Sequence, residues 1–180
     1  SIAGRLMGRR LLYVAGEKDP LHLHTLRNRF LRTPNVNVRS LDPSNPADYD
    51  GFENQFDTVL CLNVLEYLDD PGRTLRLIHS SLRENGKVVV LVPQSPSLYG
   101  AVDRYMGHKR RFRAGELKQL LEASGFRVEV GHNLNRAGTL PWWLFSKALG
   151  RERINKLTLK IFDKTVWIWR RIDSLLPWPG

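Results

Sequence analysis

The segment DRYMGHKRRFR, Asp103 to Arg113, concentrates the side chains best suited to chemistry. His108 is its candidate general base, because an imidazole with an ordinary pKa near ~6.5 can take a proton from a hydroxyl at neutral pH. Asp103 could orient that imidazole or pair with Arg111. Arg110 and Arg111 are suited to holding a phosphate or carboxylate through paired hydrogen bonds. The competing reading is a basic surface loop with an exposed histidine. Three further polar residues, Glu17, Asp42 and Asn63, follow apolar runs, which is where α/β sheets place their ligands. Each has a plainer reading too. Glu17 suits a solvated acid beside Lys18, Asp42-Pro43 is good turn chemistry, and Asn63 suits a helix cap. His22, His24, His79 and His132 show no metal-ligand spacing with each other or with cysteine, so no metal is expected.

The stretch from Phe56 to Pro93 must position these groups. Thr58-Val-Leu-Cys61 and Val88-Val-Val-Leu-Val92 are strand-like apolar runs. Leu75, Ile78 and Leu82 recur between them at three- and four-residue steps, the pattern of an amphipathic helix with one buried face. Asn85-Gly86 should stop that helix, glycine entering the left-handed conformation. Strand, helix and strand predict a parallel pair joined by a right-handed crossover. Before it, Leu11–Ala15 and Val36–Val38 read as strands. A helix between them begins at Asp19-Pro20, is lined by Leu21, Leu26 and Phe30, and ends near Pro34. A helix over Ile2–Met7, a helix over Ala114–Ala123 and a strand over Phe126–Val130 complete the pattern. Alternating units without an internal repeat predict an α/β fold, a doubly wound Rossmann-like parallel sheet with helices on both faces.

The 180 residues suit one domain with a real core, and the formal charge of +10 leaves anionic partners open. Cys61, the lone cysteine, excludes an internal disulfide and reads as a small core residue. No run has the length and composition of a signal peptide or a membrane span, so a cytoplasmic protein, soluble or membrane-peripheral, is expected.

Taken in order, these segments resemble the class I S-adenosylmethionine-dependent methyltransferases, in particular a bacterial branch associated with envelope and glycan biosynthesis. The matching residues are Tyr13-Val-Ala-Gly-Glu17-Lys-Asp19, Asp42, Phe56–Glu66 and Asn85–Pro93. Leu98-Tyr-Gly100, Asp103, Gly107-His108, Arg110-Arg111-Phe112 and Ala123-Ser-Gly-Phe126 continue the match, which covers roughly residues 10 to 140. The resemblance implies S-adenosylmethionine as cofactor. Glu17 would take the ribose hydroxyls, Asp42 would lie near the adenine, and Asn63 would line the cleft. It also implies methyl transfer to a hydroxyl of a small, lipid-linked or glycan acceptor, with Tyr99, Arg110 and Arg111 facing the acceptor and His108 and Asp103 catalytic. The family's glycine-rich turn has no counterpart. If Leu11–Ala15 matches the family's second strand, the chain starts just past that turn and is a fragment or a truncated relative. In a rival register Leu11–Ala15 is the first strand and Gly16 a degenerate turn.

Residues 1–139 are thus expected to form the Rossmann-like domain, and 140–180 a basic, aromatic, helical extension. Ile154, Leu157, Ile161, Ile168 and Ile172 share one helical face there, with Phe162 and Trp169 beside it. Lys156, Lys160, Lys164, Arg170 and Arg171 occupy much of the remainder, and Trp142, Trp143, Trp167 and Trp178 add amphipathic rings. Such a helix suits an anionic membrane surface, or packing on the domain. A non-catalytic module that binds a partner or a membrane is therefore the alternative function. Basic charge spread over three regions, with no nucleic-acid module, makes RNA or DNA an unlikely partner.

Overall fold

The computed structural model describes residues 11–151 and, beyond them, Lys160, Lys164 and Arg171. The expected helix over Ile2–Met7 and the apolar face from Ile154 to Ile172 lie outside the described residues, as do Trp167 and Trp178.

Strand β1 (Tyr13–Glu17) is followed by helix α1 (Pro20–Phe30) and strand β2 (Val36–Ser40). Asp19 starts α1, its carboxylate accepting from the N–H groups of Leu21 and His22, with Pro20 in the first turn. Leu23 and Phe30 form the buried side of α1, whereas Leu21, expected in the core, is 73% exposed. Leu21 lies two residues before Leu23, about 200° around the helix, and so faces away from the buried side. The two strands run parallel, from Tyr13 opposite Val36 to Glu17 opposite Ser40.

The second half of the core is β3 (Phe56–Leu62), helix α2 (Pro71–Ser81) and β4 (Leu82–Leu91). The crossover expected from sequence is present, with β3 and β4 parallel from Thr58 opposite Lys87 to Leu62 opposite Leu91. Asp70 caps α2 by accepting from Arg73 N–H at 2.9 Å, and Pro71 follows it. Leu75, Ile78 and Leu82 pack with Cys61, Leu65, Leu68 and Phe112 in one buried cluster. The junction after α2 differs from the expectation. Leu82 already pairs with Phe56, the register slips before Thr58, and Asn85 rather than Gly86 takes the left-handed conformation, with φ of 60°. Gly86 serves by close approach instead, since a Cβ there would lie 2.8 Å from the Arg83 carbonyl.

Beyond β4 come α3 (Ala101–Met106), α4 (Ala114–Ala123) and a short helix, α5 (Thr139–Trp142), which runs into a wide π-turn over Trp143–Ala148. The strand expected over Phe126–Val130 is not formed. Phe126 packs on the core cluster and edges onto His79, but the segment pairs with no strand among the described residues. Alternation alone does not make a strand, because the period by itself supplies no pairing partner. The extension is fastened to the domain at its start. Trp142 Nε1 donates to Leu98 O at 3.2 Å, Val102 N–H to Ser146 Oγ at 3.1 Å, and Lys147 Nζ to Ser97 O at 2.5 Å.

Candidate active site

The carboxyl ends of β3 and β4 carry a buried polar network. Asn63 and Ser95, just past the two strands, hold left-handed backbone conformations at φ of 53° and 64°. Asparagine tolerates this readily, as at Asn54 and Asn85, whereas serine adopts it only when the surroundings enforce it, and such enforced residues gather at functional sites. After Asn63 the chain winds through a tight turn at Leu65–Tyr67. After Ser95 it passes through α3 and returns along the end of β4. Phe112 N–H donates to Pro93 O and Ser95 N–H to Phe112 O, both at 3.0 Å. Lys109 N–H donates to Glu66 O at 2.8 Å, tying the two strand ends together.

Asp103 is the hub, with no exposed surface. Its Oδ1 accepts from Arg111 Nε at 2.9 Å and contacts His108 Nδ1 at 3.0 Å, while Oδ2 accepts from Gly100 N–H at 2.9 Å. Sequence left open whether Asp103 orients His108 or pairs with Arg111. It does both. The fold achieves this through Gly107, whose φ of 79° ends α3 and lets His108 N–H reach back to Asp103 O at 2.9 Å. That reversal lays the imidazole over the carboxylate one helical turn earlier.

His108 is 8% exposed, and both its nitrogens are engaged. Nε2 lies 3.1 Å from the Tyr67 hydroxyl, and the two rings meet edge to face with centroids 4.9 Å apart. A carboxylate at Nδ1 assigns the proton to that nitrogen and leaves Nε2 as the acceptor. The exposed histidine loop expected as the alternative is therefore absent. Arg111 also departs from expectation. Its guanidinium donates to Asp103 and to Gln94 O at 3.0 Å, and lies 4.6 Å from the Trp142 ring centroid. Thus committed, and with 7% of its side chain exposed, it braces the site instead of facing an acceptor. Arg110 stays nearer the surface and donates from one terminal nitrogen to Asp69 O at 3.0 Å. Tyr99 is half-buried, its hydroxyl donating to His108 O at 2.6 Å, so it secures the loop that carries the histidine.

Two residues in this network were not singled out from sequence. Tyr67 is 37% exposed and is the outward end of the chain Asp103–His108–Tyr67. Glu66 is 1% exposed, and neither of its carboxylate oxygens has a hydrogen-bond partner among the described residues. Burial pushes its carboxyl above the ordinary range, against the pull of His108 and Arg111. Their position four or fewer residues past Asn63 was the available signal. Cys61, beneath them, is buried, and desolvation with help from Glu66 pushes its thiol up to about 12.

The ends of β1 and β2 are built differently. Glu17 closes β1, and its Oε1 accepts from Asp19 N–H at 2.9 Å. Asp42, just past β2, pairs with Lys18 at 2.8 Å and accepts from the hydroxyl and N–H of Ser44. Lys18, then Ser44, bring its carboxyl down to about 2. No group of three or more histidine, cysteine and acidic side chains able to hold a metal occurs among the described residues.

A methyltransferase-domain family model matches residues 11–130. The chain belongs to that family. Solved structures agree on the Rossmann-like fold. YcgJ from Bacillus subtilis superposes with a TM-score of 0.63 at 11% identity, over 77% of this chain and 64% of that one. The [4+2]-cyclase SpnF gives 0.62 at 18% identity, over 78% and 54%. The trans-methyltransferase CalH, in complex with SAH (S-adenosylhomocysteine), gives 0.51 at 25% identity, over 64% and 36%. No curated protein sequence matches. The chain thus spans between about a third and two thirds of the length of these neighbours. A fold shared with a cyclase shows why chemistry must be argued from the site.

S-adenosylmethionine is the cofactor implied by the family and the SAH-bound neighbour. The donor set suits its nucleoside half. Glu17 offers a carboxylate at a strand end, with Oε2 unclaimed by any described residue, which suits ribose hydroxyls. No described helix is long and apolar enough to cross a membrane.

Proposed function

We propose that this chain serves methyl transfer from S-adenosylmethionine to a hydroxyl of a small, lipid-linked or glycan acceptor. The observation that carries this reading is the buried chain from Asp103 through His108 to the Tyr67 hydroxyl, at the carboxyl end of a family sheet. A bound sulfonium supplies an already activated methyl group. The protein's own tasks are to align a nucleophile and receive its proton, and alignment can supply up to ~7–11 kcal/mol. Glu17, with Asp42 and Asn63, holds the nucleoside in this reading. Asp103 fixes the imidazole, and Arg110 offers a cation to an acidic acceptor.

Calorimetric titration with S-adenosylhomocysteine tests it without needing an acceptor. Binding in the micromolar range is expected, and Glu17→Ala should abolish it. A folded sample that gives no heat would sink the reading.

A second reading, a non-catalytic module at an anionic membrane surface, draws on the start of the extension. Trp143, Leu144 and Leu149 are 47%, 46% and 54% exposed, with Lys147 and Arg151 exposed beside them. Aromatic and basic side chains together suit an anionic interface. The same titration separates the two readings, because a module has no need of the nucleoside.

A further inference from the structure

We infer that Tyr67, not His108, meets the acceptor hydroxyl, and that His108 receives the proton through the Tyr67 phenol. This rests on the methyl-transfer reading above and names the residue that touches the acceptor. Two facts force the distinction. His108 is 8% exposed and has both ring nitrogens occupied, so an acceptor cannot reach Nε2 without displacing Tyr67. Tyr67 is 37% exposed and sits on the turn directly after β3, where the sheet presents its ligands. Its backbone is held by the bond from its N–H to Val64 O at 3.1 Å, so the hydroxyl is presented from a fixed turn.

The protons balance along this line. Before transfer, Asp103 accepts from His108 Nδ1–H, and Nε2 accepts from the Tyr67 hydroxyl. As the acceptor oxygen forms its bond to the methyl carbon and the carbon–sulfur bond breaks, the acceptor's proton moves to the Tyr67 oxygen. Tyr67's own proton moves to Nε2 in the same event. The products are the methyl ether, the neutral thioether, an intact phenol and an imidazolium facing Asp103. The carboxylate beneath the ring stabilises that imidazolium in a site removed from water. Burial and the neighbouring Glu66 raise the Tyr67 pKa, which keeps the phenol protonated, as a relay of two protons in one event requires.

Tyr67→Phe is the test, because it keeps the ring edge against His108 and removes only the hydroxyl. In histidine-labelled chain, nitrogen NMR should show His108 carrying its proton on Nδ1, and Tyr67→Phe should move the Nε2 resonance alone. An Nε2 resonance indifferent to the change overturns the inference. Turnover is then read with methyl-labelled S-adenosylmethionine and three acceptor probes: a phenol, a hexose and a long-chain alcohol. The expected result is a fall in kcat of about 100-fold, the lower end of what one proton-transfer group supplies, with KM little changed and S-adenosylhomocysteine affinity intact. Undiminished turnover overturns the relay. So does absence of turnover with every probe in a wild-type chain that binds S-adenosylhomocysteine, and there the nucleoside site survives. Failure of wild-type binding defeats the methyl-transfer reading itself, and the relay with it.

Discussion

The two strand pairs end in opposite ways. At β1 and β2, Glu17 and Asp42 bond to near neighbours at the surface: Asp19, Lys18 and Ser44. At β3 and β4, Asp103 draws together Gly100, His108 and Arg111 with no exposed surface, and the network extends to Tyr67 and Gln94. Water can replace every partner at the first end. At the second it can replace almost none, so losing a partner there strands the others in a low-dielectric setting. The first end suits a ligand that supplies its own hydrogen bonds, and the second suits moving a proton without water.

The sharpest way to break this contrast is Asp103→Ala. It leaves the Arg111 guanidinium and the His108 imidazole buried without their acceptor, and breaking such a pair costs about 3–5 kcal/mol. Urea unfolding of the variant should show an unfolding free energy lower by that amount. A loss below about 1 kcal/mol would place Asp103 with the exposed ion pairs and dissolve the distinction.

The same contrast governs what sequence revealed. The parallel crossover, the helix start at Asp19 and the core positions Leu75, Ile78 and Cys61 follow from local spacing, and the structure keeps them. Glu17 and Asp42 lie at strand ends for the same reason. Other features required distant partners. Tyr67 and His108 are separated by 41 residues, and Arg111 meets Trp142 only because α5 folds back over Leu98. A basic run thus read as an acceptor-binding surface, although Arg111 is spent internally. Phe126–Val130 shows the converse error. Its alternation satisfied the strand period, but pairing needs an edge that no local pattern encodes.

Glu66 sharpens the comparison from inside the buried end. Its carboxyl is raised by burial and has no hydrogen-bond partner among the described residues, so the folded state binds its proton more tightly than the unfolded chain does. A raised carboxyl contributes stability that is full below the ordinary value of 4.5 and fades as pH rises through the folded value. Glu66→Gln removes that dependence. Stability at neutral pH should rise by about 1–2 kcal/mol, the scale of one unsatisfied buried group, and the gain should shrink as the medium is acidified. Equal unfolding midpoints at neutral pH would mean that Glu66 finds partners in solution and that this end is wetter than its burial indicates.

Asp42 offers the smallest effect and the finest test of the open end. Its carboxyl is held down to about 2, first by Lys18 and then by Ser44. A lowered carboxyl contributes stability above its ordinary value of 3.8, and that contribution is lost as pH falls from there towards 2. Asp42→Asn should therefore flatten the acid limb of unfolding while costing less than about 1 kcal/mol at neutral pH, as partly exposed pairs do. Titration of the same variant with S-adenosylhomocysteine separates its two possible roles. If Asp42 only shapes the turn at Pro43, affinity holds and the acid limb alone changes. If affinity falls, the carboxylate must give up a present bond for the ligand, because Lys18 holds Oδ2 and Ser44 holds Oδ1. The open end would then be a site that rearranges on binding, set beside a buried end that cannot.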